Sequence, residues 1–152
     1  MLHWIDKQGS APWSTGSARL FMDEPRPTGS MPMAVRCRFG SLPEDLALLD
    51  TGAHWTLIGP ELIELLGGEL GDELESVTMS SRLGRFEGTL HRLPIQLIAD
   101  EGKNVLVDGT CLALPDWHGP NVLGVHGFLE RLRFALEPAT TGTEASIHFG
   151  GL

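Results

Sequence analysis

The chain has 152 residues, of which 41% are hydrophobic and 20% charged. That length suits one domain with a core of its own and is too short for a two-lobed enzyme with two separate cores. Its 20 acids against 11 bases leave a formal net charge of −9, which argues against a nucleic-acid partner, whose surface needs clustered Lys and Arg, and against an anionic membrane.

Two cysteines, Cys37 and Cys111, lie far apart, too few for a disulfide framework. The opening residues MLHWIDKQGSAPW lack a basic segment followed by an apolar run, and nothing approaches the ~18–20 apolar residues of a membrane span. The expectation is a soluble, cytoplasmic protein.

Residues 1–30 carry Pro12, Pro25, Pro27 and scattered Gly and Ser with no period. They read as a loosely ordered N-terminal arm or linker with one short strand over 18–22, and the compact domain spans 31–152. Met33, Val35, Cys37 and Phe39 alternate with Ala34, Arg36 and Arg38, a half-buried strand with the Cys37 thiol on its inner face. The apolar run 46–49 suits a strand buried on both faces. After a break at Thr51 and Gly52, Leu57 and Ile58 continue it. Pro60 opens a short helix that Gly67 ends, since Pro fits the first helical position and Gly the residue past the last turn.

Residues 69–75 are acidic and read as a solvated face. Strand-like segments over 76–83 and 89–98 flank LGRFEG and predict a long hairpin. Further strands are expected at 105–107 and 111–114, then a Pro- and Gly-rich loop, a short helix over 125–131, and closing strands at 132–136 and 145–149. The class is mostly β with one or two short helices, and many short strands between glycine turns favour a small closed barrel.

The most informative stretch is Leu46-Ala47-Leu48-Leu49-Asp50-Thr51-Gly52-Ala53. An acid closing an apolar strand is costly unless it is used or paired, and the Gly two residues on lets the backbone turn sharply. A bare Asp-Thr-Gly is ordinary turn chemistry. Between an apolar strand and Ala53, Trp55, Leu57 and Ile58 it is more specific. About seventy residues later comes Asn121-Val122-Leu123-Gly124, then Gly127-Phe128-Leu129.

Together these two motifs, in this order, resemble the retropepsin-like family of single-lobe aspartic proteases, over roughly residues 31–136. The resemblance implies an acid-protease barrel built as a homodimer, acting as an aspartic endopeptidase on peptide or protein substrates without a cofactor. It makes Asp50 the catalytic carboxylate. Thr51 would hold the two catalytic loops together, and Gly52 and Ala53 would line the floor of the cleft. Val122, Leu123 and Gly124 would support that floor. The hairpin would be the flap, with Arg82, Leu83, Gly84, Arg85 and Phe86 at its tip and Gly84 and Gly88 as hinges. Two positions depart from the family pattern. His54 stands where a small or acidic residue is commoner, and the flap carries Arg82, Arg85 and Glu87 in place of a Gly-rich tip.

Counting alone adds a constraint. Aspartic proteolysis needs two carboxylates sharing one proton around a water, one acting as base and the other as acid. The chain holds one Asp-Thr-Gly, because Asp108-Gly109-Thr110 has the wrong order. Two copies about a twofold axis would supply the pair. The six histidines show no H-E-x-x-H or C-x-x-C spacing, so no metal site is expected. A reading of another class is a non-catalytic retropepsin-like module that dimerises or binds peptides by strand addition.

Overall fold

The alternation of Met33, Val35, Cys37 and Phe39 gives a strand because it turns one apolar face toward a core and leaves Arg36 and Arg38 on the other. In the computed structural model, which describes residues 1–6, 9–22 and 32–152, that strand is the fifth of fourteen. The order is β1 (His3–Asp6), β2 (Gly9–Pro12), β3 (Gly16–Arg19), β4 (Phe21–Met22), β5 (Met33–Phe39), β6 (Asp45–Leu49), β7 (Thr56–Ile58), α1 (Pro60–Leu66), β8 (Glu73–Ser81), β9 (Gly84–Leu97), β10 (Glu101–Gly102), β11 (Val105–Ala113), β12 (Val122–Leu123), β13 (Leu132–Glu137) and β14 (Ser146–Gly151). Short 3₁₀ turns occupy Gly67–Glu69 and Leu129–Arg131. No helix among the described residues is long and apolar enough to cross a membrane.

Six strands close a barrel in the order β5-β6-β12-β7-β11-β9 and back to β5. Closure comes from Cys37, Arg38 and Phe39 of β5 pairing with Leu97, Gln96 and Ile95 of β9. The pairings β6–β12 and β7–β11 are parallel and the others antiparallel. A second sheet, ordered β10-β3-β14-β13, packs against the barrel and shares its core, which joins Val35, Phe39, Leu93, Ile95, Leu123 and Phe128 to Ala18, Leu20, Ile147 and Phe149.

Both thiols lie wholly buried in this core. Burial, with the Asp45 carboxylate adding to it, pushes the Cys37 thiol up to about 12. Burial pushes Cys111 up to about 12 as well, so neither is a nucleophile at neutral pH.

Helix α1 starts at Pro60, and Gly67 follows it at φ +51, as the sequence predicts. The helix expected over 125–131 is a turn and a 3₁₀ segment instead. Gly127 takes φ +82, which a right-handed helix cannot contain, and the Leu129 and Glu130 N–H groups reach back five residues to the Gly124 and Val125 carbonyls. The run 46–49 is not buried on both faces: Ala47 and Leu49 point inward, whereas Leu46 is 45% exposed. The hairpin loop is shorter than LGRFEG suggests, since Ser81 pairs directly with Gly84 and leaves only Arg82 and Leu83 in the turn.

The expected loose arm over 1–30 needs the largest correction. Residues 23–31 and 7–8 lie outside the described residues, but β3 sits inside the second sheet, with Arg19, Ala18, Ser17 and Gly16 pairing with Ser146, Ile147, His148 and Phe149. β4 continues onto β5, with Phe21 opposite Ala34 and Met22 opposite Met33. Ala18 and Leu20 are core residues, and Ser14, also buried, accepts from the Leu2 N–H. The short strand expected over 18–22 is divided between the end of β3 and β4, and it is the pairing of β3 with a partner more than a hundred residues away that has no local signal in the sequence.

Leu20→Ala is therefore expected to cost about 2–4 kcal/mol of unfolding free energy, as for other large-to-small core changes. A urea titration showing less than about 0.5 kcal/mol, the range of surface substitutions, would place Leu20 outside the cooperative core.

Candidate active site

The site starts from strands with two apolar faces. In β7, β11 and β12 neighbouring side chains go to opposite sides of the sheet. Ile58, Cys111, Ala113 and Leu123 enter the main core, whereas Leu57, Leu112 and Val122 join a second buried cluster with Leu90, Leu114 and Trp117. Leu48, Ala53, Trp55, Val77, Met79 and Phe86 pack against that second cluster, which fills the space between the barrel wall and the β8–β9 hairpin.

β12 holds the two chain segments that frame Asp50. Val122 pairs with Leu48 of β6 on one side and with Leu57 of β7 on the other. The Leu48 N–H donates to the Asn121 carbonyl at 2.8 Å, and the Asp50 N–H to the Leu123 carbonyl at 3.1 Å. Past Gly124 the ladder continues, with Val125 N–H donating to Ala53 and His126 N–H to His54. Val122-Leu123-Gly124 thus lies directly beside Asp50-Thr51-Gly52-Ala53. A Cβ on Gly124 would fall 2.2 Å from the Trp55 carbonyl oxygen, so only glycine fits. The Gly124 N–H donates to Oγ1 of Thr56, a wholly buried residue, at 3.2 Å.

Asp50, Thr51 and Gly52 are exposed. Asp50 Oδ1 accepts from the Gly52 N–H at 2.8 Å, which turns the loop back and leaves Oδ2 for other partners. Single-chain burial of Asp50 behind the apolar strand, as the sequence suggests, is not seen. The carboxylate stands at the edge of a cavity of about 610 Å³. Gly52, Ala53, His54, Trp55, Leu57 and Val122 line it from the barrel side, Met79, Ser80, Ser81 and Arg82 from the hairpin, and Trp117 from the loop after β11.

Of the expected site residues, Asp50, Gly52, Ala53, Val122 and Arg82 thus meet at one cleft. Leu123 and Gly124 are buried behind it. Thr51, Leu83, Gly84 and Arg85 are exposed and outside the lining, Leu83 being 70% exposed at the hairpin tip. Phe86 lies over Trp117 edge to face, with ring centroids 5.4 Å apart. Gly84 takes φ +127 at the turn, but Gly88 is no hinge: a Cβ there would fall 2.3 Å from the Ala113 carbonyl oxygen, so its absence lets β9 lie against β11.

Trp117 and Thr56 belong to the site without a motif that marks them. Trp117 sits in a loop that reads as plain Pro-Gly punctuation, and its Nε1–H donates to the Pro120 carbonyl at 2.9 Å, which orients the ring. Thr56 carries no signal beyond its place between Trp55 and Leu57. His54 and His126 stack with ring centroids 5.3 Å apart, and Trp55 meets each edge-on at 4.6 Å. Behind them, the Gly127 N–H and then the His126 ring hold the Glu130 carboxyl below the usual carboxylate range. No group of three or more His, Cys, Asp or Glu among the described residues is placed to hold a metal ion.

Comparison with models of known families finds no match, and comparison with curated proteins finds none.

Two substitutions test the support behind Asp50. Thr56→Val strands the buried Gly124 N–H and is expected to cost about 1–3 kcal/mol in denaturant unfolding. Gly124→Ala is expected to cost as much or more, because backbone must move to admit the methyl group. A neutral result for both would mean that the β12 strand is not tightly seated.

Proposed function

We propose that the chain is one subunit of a homodimeric, retropepsin-like aspartic endopeptidase, in which the Asp50 carboxylates of two copies share a proton and activate a water. The observation that carries this reading is the placement of Asp50. It follows the barrel strand β6, on a loop braced by the Val122-Leu123-Gly124 strand, at the edge of a cleft roofed by a hairpin. An extended peptide fits between such a floor and roof. The exposed run Asp50, Thr51 and Gly52 offers a polar lip for a twofold-related copy.

The chemistry follows from the count. A lone carboxylate can accept a proton from water, but the scissile carbonyl also needs a donor, and a protonated second Asp50 supplies one. Water is consumed, the C–N bond breaks, and the amine leaves with a proton returned from the dyad. Only the singly protonated pair holds both base and acid, so the rate should trace a bell against pH.

The decisive experiment pairs a cleavage assay with sedimentation. The protein is expected to cut unstructured polypeptide between apolar residues and to sediment as a dimer. Asp50→Asn, which keeps the shape but cannot serve as base, should lose cleavage by a factor of 10² or more, on the order expected for removing a general base, with the unfolding midpoint kept. Near-wild-type cleavage by Asp50→Asn would remove Asp50 from the mechanism. A monomer at high concentration, with or without a statine-type inhibitor, would remove the dimer.

A further inference from the structure

The cleft holds three ionisable side chains: Asp50 on the barrel side, His54 beside it, and Arg82 on the hairpin. Like Arg85, Lys103, Arg131 and Arg133, Arg82 forms no ion pair among the described residues, and of these five it alone lines the cleft. Arg19, Arg36, Arg38 and Arg92 each pair with a carboxylate, and Arg131 donates to the Asp108 carbonyl. In a chain whose acids outnumber its bases 20 to 11, Arg82 has no ion-pair partner among the described residues. It sits in the two-residue turn between Ser81 and Gly84. The floor opposite is apolar, formed by Leu57, Val122 and Trp117.

We propose that Arg82 selects acidic substrates, recognising a Glu or Asp side chain that flanks the apolar residues on the cleft floor. The inference rests on the peptidase reading and names its substrate class. A guanidinium presents a planar fork of donors that matches a carboxylate, and Asp50 is the one carboxylate among the described residues that line the cleft. Asp50 Oδ1 is already engaged by the Gly52 N–H. In the twofold dimer the one cleft that the two copies share receives two copies of Arg82, one from each hairpin, so acidic residues are favoured on both sides of the scissile bond. The net charge of −9 repels an acidic peptide at long range. A preference for acid must therefore come from a local contact, which makes the preference diagnostic.

The test uses matched peptides with an apolar pair at the centre and Glu, Gln or Lys at each flanking position in turn. Wild-type protein is expected to cut the best Glu peptide about three- to tenfold faster in kcat/KM than its Gln isostere, the range for a partly exposed charge-assisted contact. Arg82→Ala should bring the two rates together, and Arg82→Glu should favour the Lys peptide. Arg133→Ala, which removes an exposed charge from β13 in the second sheet, should keep the Glu preference. Equal rates for Glu and Gln with wild type, or a Glu preference that survives Arg82→Ala, would overturn the proposal. If wild type cuts none of the peptides, the peptidase reading falls, and fluorescence anisotropy of the same peptides decides the rest. Tighter binding of Glu than Gln peptides, lost in Arg82→Ala, keeps acid recognition by Arg82, whereas equal or absent binding removes it.

Discussion

The structure depends on a strand of two residues. Val122 and Leu123 lie between β6 and β7, and without them those strands would face each other across a gap in the barrel wall. The same insertion fixes the Asp50 loop, because the Asp50 N–H is satisfied by the Leu123 carbonyl. Barrel closure and carboxylate placement are thus one event. Leu123 is wholly buried, and a buried carbonyl left unpaired costs more than a good hydrogen bond contributes net, so the loop cannot leave β12 cheaply. Gly124 completes the joint by allowing the backbone of Trp55 to approach to a distance that no side chain tolerates.

Much of this was legible in the sequence, because some segments carry their own physics. The alternation in β5, the Pro60 and Gly67 boundaries of α1, and the apolar run leading into Asp50-Thr51-Gly52 each state a local preference that the fold keeps. The juxtaposition of Val122-Leu123-Gly124 with Asp50 came from resemblance and not from local pattern, since nothing in either segment says that they touch. Local preference failed where a distant partner decided. β3 lacks an apolar run and only its end falls within the short strand expected over 18–22, yet it completes a sheet with a strand at the far end of the chain. Gly127 is compatible with a short helix by sequence, but its backbone lies on the left-handed side. Trp117 was hidden because a loop residue's role depends on which cavity the loop borders.

The two thiols show how burial alone sets reactivity. Cys37 and Cys111 occupy the closed interior, and their neutral form is favoured by the cost of placing charge there. They act as small apolar side chains of the barrel. The ionisable groups open to the cleft stand instead at its rim, where the loop after β6 and the hairpin turn each supply one, a carboxylate and a guanidinium.

The strands with two buried faces have a consequence for how such a protein changes over time. Ile58 and Leu57 are adjacent in sequence but belong to different environments, one to the barrel interior and the other to the cleft floor, and Leu123 and Val122 divide in the same way. A substitution on the floor alters the shape of the cleft while its neighbour goes on filling the core. Cleft shape and core packing are therefore written in alternate letters of the same short words. One can drift while the other is held, provided that no insertion slips the register and exchanges the two alphabets.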